Sequence, residues 1–457
     1  MSLWSDTFPE HERVTGTPLP GDVDVDVAIV GAGFTGLWTA YHLLQRDPTL
    51  RVTVVDRRHV GFGASGRNGG WCSALLPMSL DAMASRHGKA AATRMQLAMY
   101  DTVADVARFA GERGLGDVCH RGGTLSLARS QPQLDRLMHR VDELQRFGVS
   151  DGVERLDAAE ATRRCNATRV LGAVHTPHCA TVHPLRLVHA VAAAAVACGA
   201  NIHDDTTVES IEPGRLLTDR GVVRAEVVVR ATEGYTVQLP GERRALLPIY
   251  SLMIATEPIA GDVWDTIGLG DRPTFNDARN LIIYGQRTAD GRFAFGGRGA
   301  PYHFGSRIRP DFDTDDRVRE LLTTSLRDLF PVLADTQITH HWGGVLAAPR
   351  DWTCTARYDR STGFATAGGY VGDGVSTTHL AGRTLAALIT SSDDDADREL
   401  LQLPWVGHRS RKWEPEPLRW IGVNAGRTAA ARADASENRR GRPSRVWGGI
   451  VKALLGH

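Results

Sequence analysis

One stretch near the start of the chain leaves little freedom in how it folds. Residues 25–30 are short, apolar and β-branched, the pattern of a buried parallel strand, and Gly31-Ala32-Gly33-Phe34-Thr35-Gly36 follows without a break. Leu37, Ala40, Tyr41 and Leu44 then recur at helical spacing until Asp47-Pro48 ends the helix, and residues 52–55 form a second strand closed by Asp56. This is a βαβ unit. Gly31 permits the tight turn, Gly33 lets backbone approach a pyrophosphate, and Gly36 with Ala40 allows helix and strand to pack closely. The N–H groups of Phe34 and Thr35 open the helix and face negative charge. Asp56, 20 residues past Gly36 and beside Arg57, stands where a carboxylate takes both hydroxyls of a ribose. An adenine dinucleotide is the expected ligand; FAD and NAD remain equal at this point, and a ligand-free glycine turn is the bland alternative.

The rest of the chain alternates helical and strand patterns. Residues 79–113 and 130–147 read as helices with a strand at 122–128 between them, Pro184 opens a helix to about Gly199, and 208–211, 216–218 and 227–229 read as strands. Runs at 251–255, 280–284 and 292–296 suit a large antiparallel sheet. Residues 364–367 lead through a glycine loop into an apolar helix at 380–389. The predicted fold class is α/β: a Rossmann-type dinucleotide domain with an α+β second domain built on that sheet.

Charge and cysteine content exclude several alternatives. Lys+Arg 53 balance Asp+Glu 53, so no overall field draws the chain to nucleic acid. Six scattered cysteines without a CxxC pair indicate neither a disulfide framework nor a cysteine zinc site. His175, His178, Cys179 and His183 invite a metal reading, but Pro177 and Pro184 break any helix face, and no metal is expected. The start, MSLWSDTFPEHER, lacks a secretion signal, and the longest apolar run, 187–202, is interrupted by His189, so a cytoplasmic protein is expected. Residues 408–457 carry eleven Lys/Arg against four Asp/Glu, a local excess of +7. They read as a partly flexible extension with an apolar end at 446–455, either a solvated tail with a docking helix or a weak contact with an anionic membrane surface.

Two further glycine loops are more specific. Gly63-Ala-Ser-Gly-Arg-Asn-Gly-Gly70 follows the second strand, and Gly372-Asp-Gly-Val-Ser-Thr-Thr378 precedes a helix. Such loops can line a flat ring, and a helix start aimed at the polar end of an isoalloxazine would stabilise negative charge there.

With these loops the chain resembles the D-amino-acid oxidase and glycine/sarcosine oxidase superfamily of FAD-dependent amine oxidoreductases, and in particular its gamma-glutamylputrescine oxidase-like branch. The resemblance rests on VAIVGAGFTGLWTAYHL (27–43), GASGRNGGW (63–71), TVHPLRLV (181–188), VVRATEGYT (228–236), PIYSLMIATEPI (248–259) and GGYVGDGVSTTHLAGR (368–383), in order. It implies that Gly31, Gly33 and Gly36 hold the pyrophosphate, Asp56 the ribose and the backbone of Val208 the adenine. Ala64, Ser65, Arg67, Asn68 and Gly69 would flank the isoalloxazine, with Gly372, Asp373, Gly374, Val375, Ser376 and Thr377 at its far edge and Ala231 and Thr232 also against the cofactor. It implies hydride transfer from the carbon beside an amine to flavin N5, hydrolysis of the imine, and reoxidation by O2.

The departures carry information. Many members have His where Asp373 stands. Members that tie flavin to cysteine do so where this chain has Gly343-Gly344, and those that use histidine carry it near Ser65-Gly66, so non-covalent FAD is expected. Oxygen-activating lysine has no counterpart, because no lysine lies between Lys89 and Lys412. Transfer of electrons to a quinone or other acceptor, and a non-catalytic flavin-binding subunit, are therefore the rival readings.

Tyr250, Tyr284, Arg287 and Arg298 fall in the sheet expected to roof the flavin, with Tyr250, Arg287 and Arg298 as substrate-pocket candidates and structural roles as the plain alternative. Trp71 either packs against the ring or fills core. The expected organisation is a discontinuous FAD domain (22–90, 183–245, 340–400), a substrate domain (91–182, 246–339) and the basic extension 401–457.

Overall fold

The computed structural model describes residues 1–449 apart from Arg298, Ala300, Ser392, Asp393 and Arg445. Its centre is the predicted βαβ unit. Val23–Val30 pairs in parallel with Val52–Val55 on one side and with Gly221–Arg230 on the other, and Asn201–His203 extends the sheet beyond Val52–Val55. Gly221–Arg230 is long enough to serve two partners on its far edge. Its first half pairs antiparallel with Arg215–Thr218, and its second half pairs in parallel with Phe364–Gly368. Parallel strands need both faces covered, and Val27, Ile29, Val52 and Val54 are buried beneath helices Phe34–Arg46, Pro184–Ala197 and Gly374–Thr390. A Cβ on Gly382 would sit 2.7 Å from the Trp38 backbone, so two of these helices touch at a glycine.

The second sheet runs in the order Ile338–Ala348, Leu247–Thr256, Phe293–Gly297, Ile283–Arg287, Thr274–Asp277, Thr124–Ala128, Gly172–Thr176, Glu154–Leu156. All neighbours are antiparallel except Thr274–Asp277 with Thr124–Ala128. Phe275, Phe293, Phe295, Phe330 and Trp264 fill its core under helix Asp316–Leu329. The fold is thus a Rossmann-type α/β domain joined to a domain with a large, mainly antiparallel sheet.

Several boundaries differ from those read in the sequence. Ile338–Ala348 belongs to the second sheet, and the chain returns to the first only at Thr355–Asp359, so 340 is not a boundary. Helix Lys89–Glu112, assigned to the second domain, buries Met95, Met99, Val103 and Phe109 in the first core, where Phe109 meets Trp38 edge-on at 4.7 Å. The single helix expected over 79–113 is two, broken at Gly88 with φ +84. The last helix of the first domain starts at Gly374 rather than 380.

The basic extension carries a docked helix, placed upstream of its apolar end. Leu418–Arg440 is a 23-residue helix docked on the protein, with Ala429, Ala430 and Ala433 buried. Small residues permit this close approach, and two of its charges are paired: Arg419, 3% exposed, bonds Glu416 at 2.9 Å, and Glu437 bonds Arg136. Of the apolar end at 446–455, residues from 450 on lie outside the described region. Among the described residues no helix is long and apolar enough to cross a membrane.

Candidate active site

The glycine turn is assembled by steric necessity. Gly31 has φ +111, and a Cβ there would stand 2.6 Å from the Ala231 carbonyl oxygen; one on Gly33 would stand 2.8 Å from Ser65 Oγ. Gly36 lies against the Gly31 carbonyl, closer than any side chain allows. The resulting cradle borders a cavity of about 390 Å3 walled by Gly31, Gly33, Phe34 and Thr35 at one side and by Val208, Ala231 and Thr232 at another. Asp56 and Arg57 line it as well. Gly36 does not; it backs the turn.

Asp56 is half-buried and already committed to backbone: Oδ2 accepts from Ala32 N and Oδ1 from Arg58 N, each at 2.8 Å. Burial pushes its pKa up, against the opposing pull of those two hydrogen bonds. Each oxygen keeps a second lone pair for a hydroxyl donor.

The second glycine loop closes the cavity. Ala64, Ser65 and Asn68 line it, and Ser65 Oγ accepts from Phe34 N at 2.9 Å. Two indoles hold the loop from outside, Trp342 Nε1 donating to Arg67 O at 3.0 Å and Trp4 Nε1 to Asn68 O at 2.8 Å. The Arg67 guanidinium donates to Asp313 at 2.5 Å and to Tyr235 OH at 3.0 Å.

The third loop supplies the remaining wall. Val371 and Gly372 have φ +54 and +104, a left-handed pair that turns the strand Phe364–Gly368 into the helix at Gly374. Gly372, Gly374 and Val375 line the cavity; Ser376 and Thr377 line neither of the two cavities described here. Their hydroxyls instead donate to the Ser73 and Asp373 carbonyls, fixing the helix start.

Glu233 and Tyr370 are cavity residues that the sequence reading missed. Glu233 Oε2 accepts from Gly369 N at 2.9 Å and Oε1 from Tyr370 N at 3.2 Å, and burial pushes its pKa up to about 7. Tyr370 OH lies 3.1 Å from Thr35 Oγ1, joining the first and third glycine loops. A carboxyl in the glycine-containing stretch RATEGY, directly after the apolar strand VVV (227–229), was the available signal.

A second cavity of about 410 Å3 adjoins the first at Ala64, Asn68, Leu346, Gly372 and Val375. Arg67, Gly69, Gly344 and Asp373 stand near this junction as part of its lining. Beyond them the walls are Trp71, Ser251 and Tyr284, then Arg136, Arg140, Asp277 and Arg279. Tyr284 OH and Ser251 Oγ are 2.5 Å apart, and the Tyr284 ring presses so closely on Gly69 and Gly296 that a Cβ on either would come within 2.6 Å of it.

Successive residues of a strand face opposite sides, and that alternation decides the substrate-pocket candidates. Ser251 and Tyr284 face the second cavity, so Tyr250 and Arg287 do not line it. Tyr250 accepts weakly from Arg309 N at 3.4 Å and packs on His303 and Phe312, while Arg287 lies 4.6 Å over the Trp264 ring. Arg298 is outside the described residues. Besides Arg67 at the junction, the arginines that line the cavity are Arg136 and Arg140, one turn apart on helix Gln131–Phe147, a spacing visible in the sequence, and Arg279.

The histidines at 175–183 have separate duties. His178 stacks on Tyr100 at 3.5 Å, and His183 caps helix Pro184–Ala197 by accepting from Arg186 N at 3.2 Å. Among the described residues no three His, Cys, Asp or Glu side chains converge as a metal site would require.

The family description "DAO: FAD dependent oxidoreductase" matches residues 26–388, from the first strand to the helix that ends the third loop. The chain belongs to this family. Gamma-glutamylputrescine oxidoreductase of Escherichia coli (strain K12) is 30% identical over 396 residues, 85% of this chain and 89% of that protein. Among solved structures, glycine oxidase from Geobacillus kaustophilus superposes with a TM-score of 0.68 at 21% identity, covering 84% of this chain and 99% of that one. L-proline dehydrogenase from P. horikoshii superposes with a TM-score of 0.67 at 20% identity, covering 82% and 96%. As an FAD-dependent amine oxidoreductase, the DAO-family chain has a cradle that suits its cofactor: glycine backbone where a pyrophosphate must approach, a carboxylate at ribose distance along the chain, and two loops flanking one continuous space.

Proposed function

We propose that this flavoenzyme oxidises the C–N bond of an amine whose far end carries a carboxylate. The observation that carries the reading is the second cavity, which joins the first at the Ala64/Gly372 wall and ends in guanidinium groups. Non-covalently bound FAD would accept the hydride leaving the carbon beside the amine, and water would hydrolyse the resulting imine to a carbonyl and a released amine.

The chain's own residues bind and orient. Gly31, Gly33 and the Thr35 amide hold the pyrophosphate end, Asp56 the ribose and Val208 the adenine side, while the Phe34 amide is taken by Ser65 Oγ. Ser251 Oγ and Tyr284 OH form a hydroxyl pair that accepts an N–H of the neutral amine and fixes its carbon toward the junction. Trp71 and the Tyr284 ring, 6.1 Å apart and edge-to-face, keep that region apolar. Asp277 neutralises Arg279 and Glu437 neutralises Arg136, whereas Arg140 forms no ion pair among the described residues and is the charge available to a carboxylate.

Oxidation without O2 as the acceptor is the second reading. The observation favouring it is electrostatic: Arg67, the guanidinium at the junction, is held by Asp313 at 2.5 Å, and Asp373 adds an acidic side chain to the same wall. Little net positive charge is then left to stabilise the anion formed when oxygen is reduced beside the flavin.

The test is to mix the purified flavoprotein anaerobically with amines that carry or lack a carboxylate, follow the flavin band, and admit air. Bleaching confined to the carboxylated amines is expected. Bleaching by none of them sinks the amine reading, and the rate of colour recovery in air separates oxidase from dehydrogenase.

A further inference from the structure

The helix Leu418–Arg440 lies outside the stretch that matches the family description, yet two of its side chains reach the wall of the second cavity. Asp434 Oδ1 accepts from both Asn280 N and Asn280 Nδ2 at 2.8 Å, and its Oδ2 accepts from Leu281 N at 2.8 Å. The segment so gripped, 278–282, is the turn between strands Thr274–Asp277 and Ile283–Arg287. Ala278, Arg279, Asn280 and Ile282 line the cavity, and Tyr284 follows directly.

One turn along the same helix, Glu437, only 5% exposed, takes the two terminal nitrogens of Arg136 at 2.9 and 3.2 Å. Arg136 Nε donates to Ala278 O at 2.9 Å. The cavity-lining arginine is therefore fixed from two sides, by the carboxylate of the helix and by the turn that the helix also holds. A bidentate pair with one partner nearly buried is a geometrically specific contact rather than a surface ion pair.

The helix is anchored independently at its other end. Arg419 donates to Glu416 and to Arg243 O, and Asn424 Nδ2 donates to Tyr302 O at 3.2 Å. Its register against the second sheet is set there, so Asp434 and Glu437 meet their partners in a fixed position.

We propose that the C-terminal helix Leu418–Arg440 is a specificity element of the enzyme, in which Asp434 and Glu437 act as positioning residues for the Asn280 turn and for Arg136 at the substrate end of the second cavity. The inference rests on the reading of that cavity as the substrate site. Neither residue touches the first cavity, so the cofactor is untouched by their replacement.

The experiment compares the FAD-loaded wild type with Glu437→Gln and Asp434→Asn, and with Asp434→Ala. For the carboxylated amine that bleaches the wild-type flavin fastest, Glu437→Gln, which both frees the Arg136 charge and releases its position, is expected to shift KM about tenfold while changing kcat less than threefold, with the flavin spectrum and FAD retention unchanged. Asp434→Ala is expected to speed amide exchange at residues 280–281 by at least about tenfold, with Asp434→Asn restoring part of the protection. An unchanged KM in Glu437→Gln overturns the proposal, as does unchanged protection at 280–281 in Asp434→Ala. Hydrogen exchange needs no substrate, so the positioning claim remains testable if no amine reacts and the reading of the cavity fails.

Discussion

The backbone N–H of Phe34 donates to Ser65 Oγ at 2.9 Å, so the first amide of the dinucleotide helix is tied to a loop 31 residues further along the chain. The first two glycine loops are therefore one device. The hydroxyl occupies the helix start beside the cavity, and Gly33 is bare because a Cβ would stand 2.8 Å from that same oxygen.

Replacing Ser65 with Ala removes the acceptor and loosens the loop against the helix. The net value of such a hydrogen bond is about 1 kcal/mol, so the Kd for FAD is expected to rise roughly fivefold. Titration of the apoprotein with FAD checks this; an unchanged Kd removes Ser65 from the binding role.

Asp56→Ala is expected to weaken FAD retention more than it alters the flavin spectrum. The substitution strips an acceptor from Ala32 N and Arg58 N as well as from the ribose, and the buried Ala32 amide left without a partner costs about 1–3 kcal/mol. Asp56→Asn keeps a carbonyl acceptor and should lose less. Ultrafiltration of the three proteins, with free FAD measured in the filtrate, ranks them.

Glu233 makes stability pH-dependent in a defined sense. Folded, it keeps its proton to about pH 7, whereas its ordinary value is 4.5. Its favourable contribution is complete below pH 4.5 and is lost as the pH rises through 7, because an ionised carboxylate is then confined in an apolar surrounding. Between pH 5 and pH 8 the wild type should lose on the order of 3 kcal/mol more stability than Glu233→Gln. Denaturant melts of both proteins at the two pH values measure it, and parallel losses would refute the assignment.

Arg140→Met should discriminate between substrates. A carboxylated amine is expected to lose about tenfold in kcat/KM, equivalent to about 1.4 kcal/mol, while an amine of similar length without the carboxylate changes little. Equal losses for both would show that Arg140 shapes the cavity rather than reading charge.

What was legible in the sequence was what is local. Gly31, Gly33, Gly36 and Asp56 lie within one βαβ unit, where spacing along the chain fixes spacing in space, and they stand together as read. Tyr250 and Ser251 show where this fails: either could face the cavity until pairing with Ile338–Ala348 and Phe293–Gly297 sets the face of the strand. The Arg136–Glu437 pair spans 301 positions, and no periodicity reports it. The sequence places this helix from 380 because Gly-Val-Ser-Thr-Thr has weak helix propensity, which is offset by the hydroxyl bonds of Ser376 to Ser73 O and Thr377 to Asp373 O.

The first sheet is entered at Val23 and finished only by Phe364–Gly368, which pairs with the same strand, Gly221–Arg230, that flanks Val23–Val30. A ribosome therefore releases the opening glycine turn long before the segments that complete its pocket exist. The nascent N-terminal unit must wait with one side of its sheet unpaired, a state exposed to misassociation, while the strands of the second sheet between Leu247 and Ala348 are synthesised. Cofactor capture in such a chain is a late event, coupled to the last crossing rather than to the first motif.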